Sequence, residues 1–460
     1  MSRIFRIAGL MLALFMASAP AAAQSLADTL AAAYRNSNLL EQNRALLRAA
    51  DEDVALAVAD MRPVLNFIID AQRRYQTGSP ETTSLAFNLS AEVTVIDFGR
   101  GQLARDAAKA QVLATRHALV DIEQQVLLNA ISAYMDVRTA SETAALRRAN
   151  VRVISQELEA AEQRFELSEI TRTDVSLAEA QLAAGRAALA AAEGDLAAAR
   201  EAFKLATGIA PGSLPPPPAL PRTAASLTAA QDIARQSHPG VRQSLQEVKA
   251  AELNAERVFL QRRGSVTGSV TMGRQFTDPG QMPTFGDTTT VTAGVRYARP
   301  LFQGGGLNAL YRQANARRDA ARAGQHQTVA QILQNVAVAW ANVDVASARI
   351  AASRQQVRAA QSAFEGVREE ARLGARTTLD VLNAETDLLD ARTTLAEAQA
   401  AEQVATYNLL ATMGLLTVDH LGLGIPTYDP EAYFNAVRNA PVSSPQGEAL
   451  DRVLRALGRD

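Results

Sequence analysis

Cysteine is absent from this 460-residue chain. No disulfide can brace it, so stability has to come from packing, metal or assembly. The same absence leaves no residue near the N-terminus to carry a lipid. Charge of one sign is not in excess either. A net charge of −2 argues against nucleic acid as a partner, because that binding needs a clear basic surplus. Past the first residues no apolar run is long enough for a membrane-spanning helix. Any membrane contact must come from strands or from an amphipathic surface. Histidines are few and scattered: His117, His238, His326 and His420 lack the i, i+4 spacing of a zinc helix. His238-Pro239-Gly240 reads as a turn that opens a helix.

Catalytic motifs are missing as well. There is no Gly-x-Ser-x-Gly elbow. Gly304-Gly305-Gly306 is not followed by Lys-Ser/Thr, which excludes a phosphate loop. The expected role of these glycines is steric, letting a strand become a helix where backbones crowd. No enzyme activity, cofactor or metal site is expected.

What is present begins with a targeting signal. Arg3 and Arg6 precede an apolar stretch over residues 7–16, and Ala21-Ala22-Ala23 offers a small-residue cleavage site before Gln24. Residues 1–23 are therefore expected to be a signal peptide, with the mature chain outside the cytoplasm.

The chain then says the same thing twice. Residues 171–208 realign without gaps on 377–414, with Asp174, Val175, Ala178, Glu179, Leu182, Arg186 and Leu189 falling on Asp380, Val381, Ala384, Glu385, Leu388, Arg392 and Leu395. The same offset sets Val95-Ile96 on Leu301-Phe302, and a slightly shorter one sets Leu26 and Arg62 on Leu227 and Arg263. The expected organisation is a first repeat over 24–212, a Pro-rich linker over 213–222, a second repeat over 223–414 and a tail over 415–460. Pro215–Pro218 lies between the repeats, where a stiff linker fits better than a polyproline ligand.

Each repeat predicts the same order of elements. Residues 26–61 have a helical pattern, interrupted near Ser37-Asn38 and stopped by Pro63. Strands follow over 64–75 and 84–96, joined by a turn at 77–80. A helix from Asp97-Phe98-Gly99 to about 167, a polar turn at 168–172 and a second helix to Gly208 complete the repeat. The second copy predicts a helix over 227–263, strands over 265–276 and 288–300, then two helices ending near 373 and Gly414.

The strands alternate. Leu85, Phe87, Leu89, Ala91, Val93 and Val95 are separated by Ala86, Asn88, Ser90, Glu92 and Thr94. Period two with one apolar face fits a half-buried sheet, and the length suits a tilted membrane strand. Tyr75, Phe276 and Tyr297 sit near strand ends, where an interfacial girdle would lie. An ordinary antiparallel sandwich would show the same alternation.

The helices are unusual. Residues 99–167 hold no proline, and glycine only at the start. At ~1.5 Å per residue such a helix reaches roughly 100 Å. Small side chains let axes approach closely, so a long helical bundle is expected. Four strands per chain cannot close a barrel, and lipid tolerates no open sheet edge, so the chain must assemble. Two copies would give a barrel filled by side chains; three would leave a lumen. Polar inward positions (Asn66, Asp70, Gln72, Asn88, Glu92) favour a homotrimeric, 12-stranded barrel with a watered lumen.

Four segments carry a resemblance. Two are strand-to-helix passages, Val95-Ile96-Asp97-Phe98-Gly99-Arg100 and Pro300-Leu301-Phe302-Gln303-Gly304-Gly305. Two are helical turns, Arg164-Phe165-Glu166-Leu167-Ser168 with Thr173-Asp174-Val175, and Leu373-Gly374-Ala375-Arg376-Thr377-Thr378-Leu379-Asp380-Val381-Leu382. In this order the chain resembles a TolC-type outer-membrane efflux protein over residues 25–414. The resemblance implies a homotrimeric channel-tunnel: a barrel in the outer membrane and an α-helical tunnel in the periplasm. It implies a periplasmic adaptor (membrane fusion) protein, an inner-membrane pump of RND or ABC type, and outer-membrane lipid as partners.

It also implies that Leu167, Ser168, Thr171, Leu373, Gly374 and Thr377 form adaptor-contact turns at a closed tip. Phe98, Gly99, Pro300, Gly304 and Gly305 mark the passages. Ser168 stands where the family usually has glycine, so a differently built first turn is expected. Asn383 stands where some members have a second acidic residue, so one acidic ring rather than two is expected.

Asp174 and Asp380 have two readings. As helix N-terminal residues they can simply satisfy orphan N–H groups. In a trimer, Asp380 would also form a ring of like charge that selects cations. Arg376 would bridge to Asp174 of a neighbouring helix pair and hold the mouth shut. The expected function is a passive exit duct of a tripartite efflux pump for drugs or other small molecules. Alternatives are a type I protein-secretion duct and, in another class, a periplasmic or surface structural coiled-coil protein.

Overall fold

The computed structural model describes residues 24–278 and 286–439. The element order repeats. Helices α1 (Leu26–Asn36) and α2 (Asn38–Ala59) lead into β1 (Val64–Gln76) and β2 (Ser79–Ile96), then α3 (Arg100–Glu166) and α4 (Arg172–Thr207). Helices α5 (Leu227–Ser237) and α6 (Pro239–Leu260) lead into β3 (Ser265–Asp278) and β4 (Gly286–Ala298), then α7 (Gly306–Arg372) and α8 (Thr378–Thr412). A short α9 (Pro430–Val437) follows. Strand β2 begins earlier than expected, because a tight turn at Thr77-Gly78, with Gly78 at φ +86°, replaces the longer one. The loop between the strands expected over 265–276 and 288–300 lies largely outside the described residues.

The described residues fall into two compact units, and each draws on both repeats. The first contains residues 24–42, 120–238 and 330–427. Its core comes from helices facing one another with small and branched side chains. Ile154 on α3, Ala178 and Leu182 on α4 and Leu382 on α8 form one buried cluster. Phe364 and Ala371 on α7 meet Val381 and Leu388 on α8 in another. Alanine at Ala178 lets α4 come close, as short side chains do in tight helix pairs.

Both repeats end a helix on the break between their two N-terminal helices. Gly208 adopts φ +74°, and a Cβ there would lie 2.6 Å from Asn36 Cβ. Gly414 adopts φ +79°, and its Cβ would lie 2.6 Å from His238 Cα. Only glycine satisfies both the left-handed backbone and the close approach. The Pro-rich linker is tied to α3 where Tyr134 donates to Pro215 O at 2.6 Å.

The second unit contains residues 43–119, 239–278, 286–329 and 428–439. It holds the sheet, in antiparallel order β1-β2-β3-β4. Here α9 packs by Phe434, with Tyr428 before it, against Leu47 and Val54 of α2 and Val112 of α3. Arg44 stacks over Tyr428 and Arg116 over Phe434 at 5.3 and 5.1 Å from the ring centres. On α2, Asp51 is fully buried, and neither carboxylate oxygen has a hydrogen-bond partner among the described residues. Burial pushes its pKa up to about 6, despite the nearby Arg116 charge.

Candidate functional site

The register gives the sheet two chemically distinct faces. Opposite residues in an antiparallel pair share a face. Leu65↔Ala91, Phe67↔Leu89 and Ile69↔Phe87 continue across β3 and β4 as Leu89↔Met272↔Val291 and Ala91↔Val270↔Ala293. The other face carries Asn66↔Ser90↔Thr271↔Thr292 and Glu92↔Ser269. Asn88 donates to Asp70 on this polar face at 3.2 Å. The apolar face is bare: Leu65, Phe67, Val291 and Val295 are all well over half exposed. The outer edges of β1 and β4 have no neighbouring strand among the described residues.

Two passages join this sheet to the long helices. In each, two consecutive residues have positive φ: Phe98 (+58°) and Gly99 (+93°), then Gly304 (+56°) and Gly305 (+83°). Crowding is not the reason for these glycines, contrary to expectation. A Cβ on Gly304, Gly305 or Gly306 would meet nothing within 4 Å in this chain. The left-handed backbone is the reason, since glycine adopts it without strain. Phe98 holds the same conformation without that freedom. The Asp97 carboxylate compensates, accepting from Gly99 N at 2.9 Å and from Gly101 N. Gln303, the equivalent of Asp97, shows no such clamp, and there glycine supplies the turn. Pro300 precedes the second passage just after β4.

The helical turns share one construction. At the first, Ser168 N donates to Phe165 O and Glu169 N to Arg164 O, at 2.9 and 2.8 Å. At the second, Gly374 N donates to Ala371 O and Ala375 N to Glu370 O, at 3.0 and 2.9 Å. Both are Schellman closures with a left-handed residue at the end, φ +63° at Ser168 and +79° at Gly374. The first turn is therefore not built differently: its hydrogen bonds hold serine in the conformation that glycine takes in the other. Leu167 and Leu373 project from these turns, 72% and 85% exposed.

The following helices open with matching capping boxes. Thr171 N and Oγ1 donate to Asp174 Oδ2 at 2.9 and 2.8 Å. Thr377 N and Oγ1 donate to Asp380 Oδ2 at 3.0 and 2.9 Å. These bonds to the charged form, the backbone one first, hold both carboxyls below the usual carboxylate range. Asp174 and Arg376 line one cleft of about 270 Å³, together with Arg164, Glu169 and Thr377. They do not pair within the chain. Arg376 Nε instead donates to Glu370 at 2.9 Å, across its own turn, where the closure brings the two side chains together. Asn383 is exposed one turn into α8.

Sequence reasoning missed two groups here. Glu370 aligns with Arg164 of the first repeat, so repeat matching gave no hint of an acid partner for Arg376. Glu385 is 9% exposed, and burial raises its pKa, with the nearby Asn150 side chain and the Arg392 and Arg368 charges opposing the rise. Its repeat counterpart Glu179 is exposed, paired with Arg172 at 3.8 Å. Only the packing of α8 distinguishes them.

Comparisons with known proteins agree with this geometry. The sequence model of the "Outer membrane efflux protein" family matches residues 29–209 and 231–415. The chain is 32% identical over 421 residues to outer membrane efflux protein BepC of Brucella suis, covering 91% of each. It is 27% identical over 320 residues to alkaline protease secretion protein AprF of Pseudomonas aeruginosa, covering 67% of this chain and 65% of that one. In fold it is similar to the CmeC outer membrane channel of Campylobacter jejuni, with TM-score 0.74 and 15% identity, over 91% of this chain and 90% of that chain. The chain belongs to the outer membrane efflux protein family, whose members are channels of the outer membrane and not enzymes.

Proposed function

We propose that three copies of this chain close a twelve-stranded barrel and form the passive exit duct of a tripartite pump for small molecules. The sheet carries this reading. It has one lipid-compatible face, one polar face and two unpaired outer edges. In a bilayer those edges cost several kcal/mol per unsatisfied group, so β4 of one copy must meet β1 of the next. The polar face then lines a lumen. The partners that follow are a periplasmic adaptor seated on the turns around Leu167, Ser168, Thr171, Leu373, Gly374 and Thr377, and an inner-membrane pump of RND or ABC type.

The same assembly would gather three copies of the cleft holding Asp174 and Arg376. Arg376 has a partner of its own in Glu370, so opening the mouth would exchange pairings rather than strand a charge. Asp380, kept ionised by its capping bonds, would supply the acidic ring, with Asn383 as its neutral neighbour.

A second reading is a protein-secretion duct, favoured by the similarity to a protein named for alkaline protease secretion. Deletion in the native host separates them. The efflux reading expects increased sensitivity to several small toxic compounds with secreted proteins unchanged. Loss of an exported protein with unchanged compound sensitivity would favour secretion.

A further inference from the structure

The base of the β3–β4 hairpin gathers three arginines, while the carboxylates of Asp60 and Asp97 line an adjoining cleft with Gln261 and Arg257. Arg262 and Arg263 close a short 3-10 turn one residue before β3, and Arg299 immediately follows β4. The strands are paired there, Ser265 with Ala298 and Val266 with Tyr297. Arg299 Nε donates to Arg262 O at 3.2 Å, and the Tyr297 hydroxyl to Arg263 O at 3.0 Å, so the three backbones form one corner. Arg262 is held in place, donating to Asn308 Oδ1 at 2.8 Å and lying over Phe259 and Tyr311. Arg263 is exposed, and its guanidinium has no partner among the described residues. Among the described residues none of the three forms an ion pair.

The other repeat shows that this corner is not demanded by the fold. By the repeat offsets its equivalents are Met61, Arg62, Val93 and Asp97, standing for Arg262, Arg263, Arg299 and Gln303. One arginine and one aspartate there become three arginines and no acid here. The corner also has a defined depth. It begins two residues beyond Tyr297, the last residue of the bare apolar face, where tyrosine marks the edge of the hydrocarbon.

We propose that this corner binds the phosphate of an anionic glycerophospholipid in the periplasmic leaflet of the outer membrane. The inference rests on the proposed exit duct, with the long helices on the periplasmic side. Guanidinium forks match phosphate oxygens and form charge-assisted hydrogen bonds with them. The adjoining Tyr297 and Val295 present apolar surface at the height of the glycerol and upper acyl chain. One such lipid per chain anchors the barrel at a fixed depth.

The test is native mass spectrometry of the purified wild-type assembly after exchange into phosphatidylglycerol or phosphatidylcholine. Wild type retains phosphatidylglycerol preferentially. The Arg263→Gln/Arg299→Gln variant retains roughly tenfold less, while Arg73→Gln at the far end of the sheet changes nothing. Arg263→Gln alone, which removes a side chain without a partner among the described residues, lowers retention with assembly intact. Equal retention by wild type and both variants overturns the proposal, as does equal retention of the two lipids. Displacement of the lipid by millimolar inorganic phosphate would make the corner a free-anion site and also overturns it. Conductance of the same samples in bilayers reports on the duct itself, so failure of that reading shows separately.

Discussion

Single residues in this chain hold conformations that their chemistry does not favour, and each such position gives a test. Ser168 sits at φ +63°, where an L side chain costs about 1 kcal/mol. Ser168→Gly should slow hydrogen exchange of the Glu169 amide, bonded to Arg164 O, by a few-fold, in line with about 0.5–1 kcal/mol. Unchanged exchange would mean that the turn opens by another route. Asp51 tests burial. Its folded pKa of about 6 lies above the ordinary carboxylate value, so the folded state binds the extra proton. Stability is then greatest below pH ~4 and falls as pH rises to about 6, by ~3 kcal/mol at most. Asp51→Asn should flatten thermal stability between pH 4 and 6 and raise it at pH 7.5. The caps behave oppositely: with Asp174 and Asp380 held below the usual range, their contribution persists at pH 5 and fades only in stronger acid. At the mouth, Arg376→Ala should raise single-channel conductance, and Asp380→Asn should mainly lower cation preference. Wild-type conductance in Arg376→Ala with assembly intact would remove that residue from the gate.

At the scale of elements, the two-faced sheet makes the sharpest distinction. Val291 and Thr290 are neighbours on β4 but lie on opposite faces. Val291→Arg places a charge on the lipid side and should cost about 2–4 kcal/mol near the midplane, depleting the protein from the outer-membrane fraction. Thr290→Arg faces water in a lumen and should leave the amount unchanged. Equal depletion by both would contradict the face assignment. The elements themselves were largely legible, because alternation marks strands, and long proline-free runs between repeated turn motifs mark helices. What escaped depends on contacts between distant residues. The early start of β2 hides in Ser79–Thr83, because Ser79 and Pro80 read as the end of the turn at 77–80 and Glu81–Thr83 show no apolar alternation. The Asp97 clamp that lets Phe98 replace a glycine, and the Glu370 partner of Arg376, need the folded turn to be seen. Nor does pattern reveal that α9 packs on Leu47, Val54 and Val112, since residues 428–437 lie beyond the repeat.

At the scale of the molecule, the account turns on one physical demand. A four-stranded sheet with an apolar face and two free edges cannot rest in a bilayer as a single chain. The proposed lumen, gate and adaptor platform would all follow from closing that sheet with further copies. The most direct measurement is therefore the mass of the assembly extracted from outer membranes in mild detergent, by native mass spectrometry. The account predicts three chains, each close to 49.0 kDa less any processed leader, that separate only on heating. A folded single chain, or a dimer with eight strands and no lumen, would contradict it.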